Sequence, residues 1–255
     1  MSVRLPASTE PTWAALSGTK ETPAAFDAST LEDVPAPAAR WLGRALPEST
    51  PLSSGVLLSM SGRIRIGRWM PFTAEQVLRA GVGFVWKPVV GRRLLRFVGA
   101  DILGPDDARM EFRLHGLVPV AKAEGPDTRR SAAGRLAAET IAWVPQALTP
   151  QRGARWSPVD DERSSVRLDA AGETIDVEVT VDDDGRLRAL RLQRWNDAVG
   201  PAAFAPFGGT VTAEFVTPAG VRVAGAGTVG WGFGTDEWER GAFFDYSIQR
   251  AAHIP

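Results

Sequence analysis

Residues 173–182 read ETIDVEVTVD, and in them Ile175, Val177, Val179 and Val181 alternate with Asp176, Glu178, Thr180 and Asp182. A period of two is the pattern of a strand with one buried face and one wet face, because successive side chains point to opposite sides. The turn-forming runs AAGE and DDDG bracket this segment, and Asp-Gly is a hairpin signal. RLRALRLQRW continues it as the partner strand. The same alternation recurs in VLLSMSGRIRI, where Val56, Leu58, Met60, Ile64 and Ile66 face Ser59, Ser61, Arg63 and Arg65. It returns where Met110, Phe112 and Leu114 alternate with Glu111, Arg113 and His115. GTVTAEF, GVRVAGAGTVGWGF and GAFFDYSIQR complete a meander. Strands joined by short links, without helices between them, form an antiparallel sheet.

Helical signals are few. PAPAARWLGRALPEST (35–50) places Trp41, Leu42 and Leu46 on one side, with prolines before and Pro47 after. PFTAEQVLRAG (71–81) reads as a second short helix ended by Gly81, and residues 131–144 as a third. GFVWKPVVGRRLLRFVGADIL supplies one or two strands around a Pro-Val-Val-Gly turn. The expected fold is mostly β (α+β): a strongly curved antiparallel sheet or open barrel with a few helices, the 131–144 helix packed on its inner face. Residues 1–34 form an N-terminal extension, and 35–255 a single cup-like domain.

Composition removes several function classes. The 255 residues carry 29 basic and 30 acidic side chains, a net charge of −1, so no long-range field attracts nucleic acid. The groups Arg92-Arg93-Arg96 and Arg129-Arg130 read as solvated faces. With no cysteine and only two histidines, His115 and His253, disulfides, thiolate chemistry and multi-histidine metal sites are excluded. Asp182-Asp183-Asp184-Gly185 reads as a turn and not as a cation site. No secretory signal or run of apolar residues long enough to span a bilayer is present, and the expected location is the cytoplasm without membrane insertion. Gly225-Ala-Gly227-Thr-Val-Gly230 matches G-x-G-x-x-G, yet GWGFG follows where the phosphate-binding helix should start. It reads as a glycine-rich strand, and no cofactor or metal is expected.

One residue stands out against this background. On a helix, Glu139 falls between Leu136 and Trp143, with Arg135 one turn before it. Burial raises a carboxyl pKa and an adjacent arginine lowers it. Glu139 is therefore either a general acid or base or half of a buried structural bridge to Arg135. Nine Trp against one Tyr adds a second signal, because Trp is common both in cores and in the walls of apolar pockets. Trp69, Trp86, Trp143, Trp156 and Trp231 are candidate ligand contacts, and His115 joins them as a polar one.

The chain resembles a bacterial family of uncharacterised proteins, a domain of unknown function. The residues that carry the resemblance are Trp69, Pro71, Phe72, Ala74 and Gln76 (W-x-P-F-x-A-x-Q), then Phe84 and Trp86, then Asp101. Leu114, Gly116 and Pro119-Val120 follow, then Arg135, Leu136, Glu139, Trp143, Pro145 and Leu148, and finally Trp156. The match spans about residues 36–245. It departs after Asp101, where ILGPDDARM replaces an aromatic, glycine-rich stretch, and in lacking the membrane-spanning segments many relatives carry. The resemblance implies an architecture similar to lipoprotein-carrier half-barrels or lipocalin-like cups, and it adds Phe72 and Gln76 to the expected pocket wall. Two functions are expected of such a cup. The first is a cofactor-independent cyclase, isomerase or hydratase acting on an apolar small molecule, with Glu139 as proton donor or acceptor, Arg135 setting its pKa and Asp101 as second carboxylate. The alternative is a non-catalytic carrier for a hydrophobic ligand.

Overall fold

A computed structural model describes residues 5–18, 22–93, 95–196 and 201–255. After helix α1 (Thr9–Ser17), a short 3-10 turn and helix α2 (Ala36–Ala45), six strands follow: β1 (Gly55–Ile66), β2 (Arg68–Arg79), β3 (Gly83–Arg92), β4 (Leu95–Leu103), β5 (Ala108–Leu114) and β6 (Val118–Glu124). Helix α3 (Pro126–Trp143) comes next, then β7 (Arg155–Pro158), β8 (Arg163–Ala170), β9 (Glu173–Val181), β10 (Leu187–Asn196), β11 (Ala203–Val216) and β12 (Arg222–Trp231). One turn of helix, α4 (Trp238–Gly241), leads into β13 (Ala242–Ile254).

All thirteen strands join in one antiparallel sheet, ordered β6-β5-β4-β3-β2-β1-β13-β12-β11-β10-β9-β8-β7. The sheet is therefore two meanders, β1 to β6 and β7 to β13, zipped at its centre by β1 and β13. It does not close: β6 and β7 are its two edges, and α3 with the 3-10 turns after it is the connection between them. The mostly-β, curved and open architecture expected from the alternation is what the chain adopts. The DDDG turn is a hairpin link, with Gly185 at φ +78° where a side chain would be strained.

Two sequence expectations are corrected. Residues 71–81 are not a helix: 71–79 belong to β2, and Ala80 and Gly81 to the turn that follows. Met70, Phe72, Ala74, Gln76 and Leu78 are all buried, while Pro71, Thr73 and Glu75 are exposed; this period of two, with β1 and β3 on either side, outweighs the helical preference of Ala-Glu-Gln. Pro-Val-Val-Gly is not a turn either. Val89 and Val90 pair with Val98 and Phe97, and the reversal comes where Arg92 meets Leu95. Helix α3 also starts earlier than residue 131, at Pro126, whose fixed φ suits a first turn.

The inner face carries the main core. Helices α2 and α3 pack there, and α3 is buried on nearly every side from Ala132 to Trp143. Ala132, Ala133, Gly134, Ala137, Ala138 and Ala142 are among its buried residues, so much of its backbone sits close to the sheet. Arg44 of α2 donates two hydrogen bonds to Glu214 of β11, at 3.1 and 2.7 Å. On the outer face α1 covers a smaller cluster in which Leu16 meets Val77, Val85 and Ile102. Arg79 ties that helix down, donating to the carbonyls of Leu16, Gly18 and Pro255 and to Ser54 Oγ at 2.6–2.8 Å. Among the described residues no helix is long and apolar enough to cross a membrane.

Arg79→Met should strand those three carbonyls and release α1. The expected result is a loss of about 3 kcal/mol in chemical denaturation, with amide exchange accelerated in residues 9–18 and unchanged in β1 and β13.

Candidate functional site

The sheet register builds the site. Gln76 of β2 pairs with Trp86 of β3, Trp86 with Asp101 of β4, and Asp101 with Met110 of β5. A row of paired residues shares one face, and this row faces inward under α3. Arg135 and Glu139, one helical turn apart, reach down to it. Arg135 Nε donates to Glu139 Oε1 at 2.6 Å and Nη1 to Asp101 Oδ2 at 2.6 Å. Gln76 Nε2 donates to Glu139 Oε2 at 2.6 Å, and Gln76 Oε1 accepts from Arg135 Nη2 at 3.3 Å. The guanidinium also lies over Phe84 at 4.3 Å and Trp86 at 5.2 Å, a cation–π arrangement. Glu139 faces inward because it is half of the clamp between helix and sheet.

Two carboxyl groups share one guanidinium here, away from bulk water. Burial raises the Glu139 pKa, and Arg135 and Gln76 offset this only in part. Burial opposes the charge on Arg135, but Glu139 and Asp101 outweigh it and raise its pKa. Tyr246, buried nearby, is pushed above the usual phenol range by burial and by the charge of Glu139. His253 is lowered by burial, and its Nε2 lies 2.9 Å from Trp143 O.

Beside the cluster the inner face opens into a cavity of about 510 Å³. Its buried lining includes Trp86, Trp143 and Tyr246 beside the Asp101–Arg135–Glu139 cluster, which we call its floor, and the exposed lining residues Ile66 and Val120, with the half-buried Phe97 and Phe243, mark its mouth. Aromatic rings form a continuous belt. Phe112 meets Trp86 at 6.4 Å, Trp86 meets Phe244 at 5.9 Å, Phe244 stacks near Tyr246 at 6.3 Å, and Tyr246 meets Trp143 edge-on at 5.7 Å. Gly227 lets Tyr246 lie close, since a Cβ there would sit 3.1 Å from its hydroxyl. Ala138 and Ala142 of α3 also line the space, and their small side chains are what leave it open. Among the described residues the indole N–H of Trp86 is buried without a hydrogen-bond partner.

The expected site residues fall into three groups. Glu139, Arg135, Asp101, Trp86 and Trp143 line the cavity, and Gln76 stands behind them, bonded to Glu139. Phe72 stands one layer behind, stacked on Phe244 at 4.8 Å. Trp69, Trp156, Trp231 and His115 lie away from the cavity wall. Trp69 is on the opposite face of β2 from Phe72 and Gln76, between Arg63 and Arg65. Trp156 packs on Trp41 and donates to Leu148 O at 2.9 Å. Trp231 lies behind Phe207, 5.0 Å away, and His115 sits in the β5–β6 turn at φ +54°. Sequence reading missed Phe244, Tyr246, Phe207 and Arg194, all of which line the cavity. The alternation of Phe244, Tyr246 and Ile248 was the available signal. Among the described residues no cluster of His, Cys, Asp or Glu could hold a metal ion.

A family of unknown function, DUF6544, matches residues 24–243 of the chain. Among curated proteins none matches the sequence. Three solved structures are similar to it at low identity. One is a putative outer membrane lipoprotein-sorting protein domain from Vibrio parahaemolyticus, 10% identical with a TM-score of 0.42, covering 78% of this chain and 85% of that one. A LolA superfamily protein from Nitrosomonas europaea is 7% identical with a TM-score of 0.42, covering 86% and 92%. A DUF1329 family protein from Desulfovibrio piger is 10% identical with a TM-score of 0.33, covering 79% and 86%.

The cluster has a pH signature. Unfolded, Glu139 titrates near 4.5; folded, it keeps its proton to higher pH. The folded state therefore binds more protons across that window, and stability falls as pH rises through it. Melting temperature measured upward from pH 4.5 should show this decline, and Glu139→Gln should flatten it. Arg135→Met leaves two carboxylates unpaired and should cost about 3–5 kcal/mol at neutral pH.

Proposed function

The chain belongs to the DUF6544 family of unknown function, and from the geometry of its cup we propose that it binds and carries an apolar small molecule without converting it. One observation supports this reading above the others. The cavity of about 510 Å³ is lined by aromatic and aliphatic side chains, and the charged groups at its floor are bonded to one another. Small-molecule sites have this size and this apolar character. A carrier needs the volume and the apolar wall, and this cavity has both.

The enzyme reading has one observation in its favour, the raised pKa of Glu139. Against it stands the engagement of both Glu139 oxygens, by Arg135 and by Gln76 at 2.6 Å each. A general base must reach the proton it removes, and this carboxylate would first have to leave two charge-assisted or neutral hydrogen bonds. The same bonds suit a structural clamp as they stand.

The test is displacement of a fluorescent fatty-chain probe from the purified protein. Ala138→Phe places a ring in the cavity from the helix side, and probe affinity should fall at least roughly tenfold with the melting temperature held or raised. Glu139→Gln should keep probe affinity near the parent value. Full probe affinity in Ala138→Phe would place the binding site elsewhere and defeat the carrier reading of this cavity.

A further inference from the structure

The cavity mouth lies at one end of the sheet, and that end has a surface of its own. In an antiparallel meander every second turn falls at the same end. The β1–β2, β3–β4 and β5–β6 turns are therefore neighbours, spaced about two strand widths or roughly 10 Å. Residues 65–69 read RIGRW, 92–96 read RRLLR, and 115–117 read HGL. These three turns contain five arginines and no carboxylate. Arg68, Arg92, Arg93 and Arg96 have no carboxylate partner among the described residues. Elsewhere in this chain arginines pair repeatedly with Asp or Glu, as at Arg44, Arg163 and Arg167.

Large apolar side chains stand among these cations. Ile66 is 51% exposed, Leu117 59% and Val118 58%, with Trp69 and Leu95 exposed beside them. Trp69 has Arg63 at 5.2 Å and Arg65 at 5.9 Å from its ring. Ile66 and Val120 belong both to this surface and to the cavity wall, so the patch is continuous with the mouth.

We propose that this rim docks peripherally on an anionic lipid surface, mouth toward the bilayer, with arginines on the headgroups and Trp69, Ile66 and Leu117 at the interface. The pairing of cations with exposed Trp and aliphatic side chains is the chemistry that such an interface selects. Nucleic acid would use the arginines and leave the aliphatic residues in water. The β12–β13 turn at the same end carries Asp236, Glu237 and Glu239, so the contact is tilted onto the β1–β6 half. Bound in this way, an apolar molecule passes between bilayer and cavity without crossing water. The surface stands on its own residues, and its test separates from that of the cavity.

The experiment is co-sedimentation of the purified chain with vesicles of phosphatidylcholine alone and of phosphatidylcholine mixed with phosphatidylglycerol. Association with the mixed vesicles only, weakening as salt rises, is the expected result. Arg68→Glu combined with Arg92→Glu should lower it at least roughly tenfold, while Arg152→Glu combined with Arg155→Glu, equal in charge and placed off the rim, should leave it intact. Trp69→Ser should weaken binding at every salt concentration. Ala138→Phe should bind vesicles as the parent does even where it has lost the probe. Absence of association with mixed vesicles at low salt would overturn the proposal and leave a protein partner as the reading of the rim. Equal losses in the two double variants would overturn it as well, reducing the effect to net charge.

Discussion

An open curved sheet has an apolar concave face that it cannot cover with its own strands, and the architecture of this chain is organised around that exposed area. The link from edge strand β6 to edge strand β7 crosses the opening as helix α3. Eighteen residues of helix, most of them small, cover part of the face and leave the remainder as a cavity. The void therefore comes from the mismatch between a wide sheet and a narrow helix. Packing interiors tightly is the rule in folded proteins, and alanines where larger residues would fit mark a space that is kept open.

The Asp101–Arg135–Glu139–Gln76 cluster decides where that helix stands. Buried ion pairs contribute little net stability compared with well-packed apolar groups, because desolvation offsets the Coulomb attraction. Their geometry is nonetheless demanding. Four side chains from α3, β2 and β4 meet within 2.6–3.3 Å, which fixes the height and rotation of α3 above the strands. The alanine contacts of α3 have little shape to hold them in register, although Leu136, Ile141 and Trp143 add larger ones; the cluster cannot slide without losing its partners. Position of the helix, and with it the shape of the cavity, rests on polar groups embedded in an apolar wall.

How far this could be read from the sequence depends on the residue. Strict alternation at Ile175–Val181 specified a two-faced strand, and its turns specified hairpins, so the antiparallel class was legible. The segment from Trp69 to Gln76 was not, for a definite reason. Phe72 and Gln76 are four residues apart, and a spacing of four keeps two side chains on one face in a helix and in a strand alike. Trp69, three residues before Phe72, stays with it on a helix and leaves it on a strand. The helix expected over 71–81 would therefore keep Phe72 with Gln76 just as β2 does, and Trp69, a candidate only through its residue type, is turned out by β2. Glu139 was conspicuous because a carboxylate on an apolar stripe needs a partner, and Arg135 was one turn away. Asp101 and Gln76 as further partners come from strand register, which no local pattern encodes. Tyr246 and Phe244 belong to the far meander and reach the site only through the β1–β13 seam.

That seam also sets an order of events in time. Gly55 pairs with Ile254 at the middle of the sheet, roughly 200 residues apart along the chain, a separation that makes closure slow and late. On a ribosome the six strands of the first meander emerge long before β13 exists, and until then β1 has an unpaired edge at what will be the centre. An open edge of that kind is a template for wrong pairing. The molecule is therefore most vulnerable during synthesis at the point that is most protected once folding is complete.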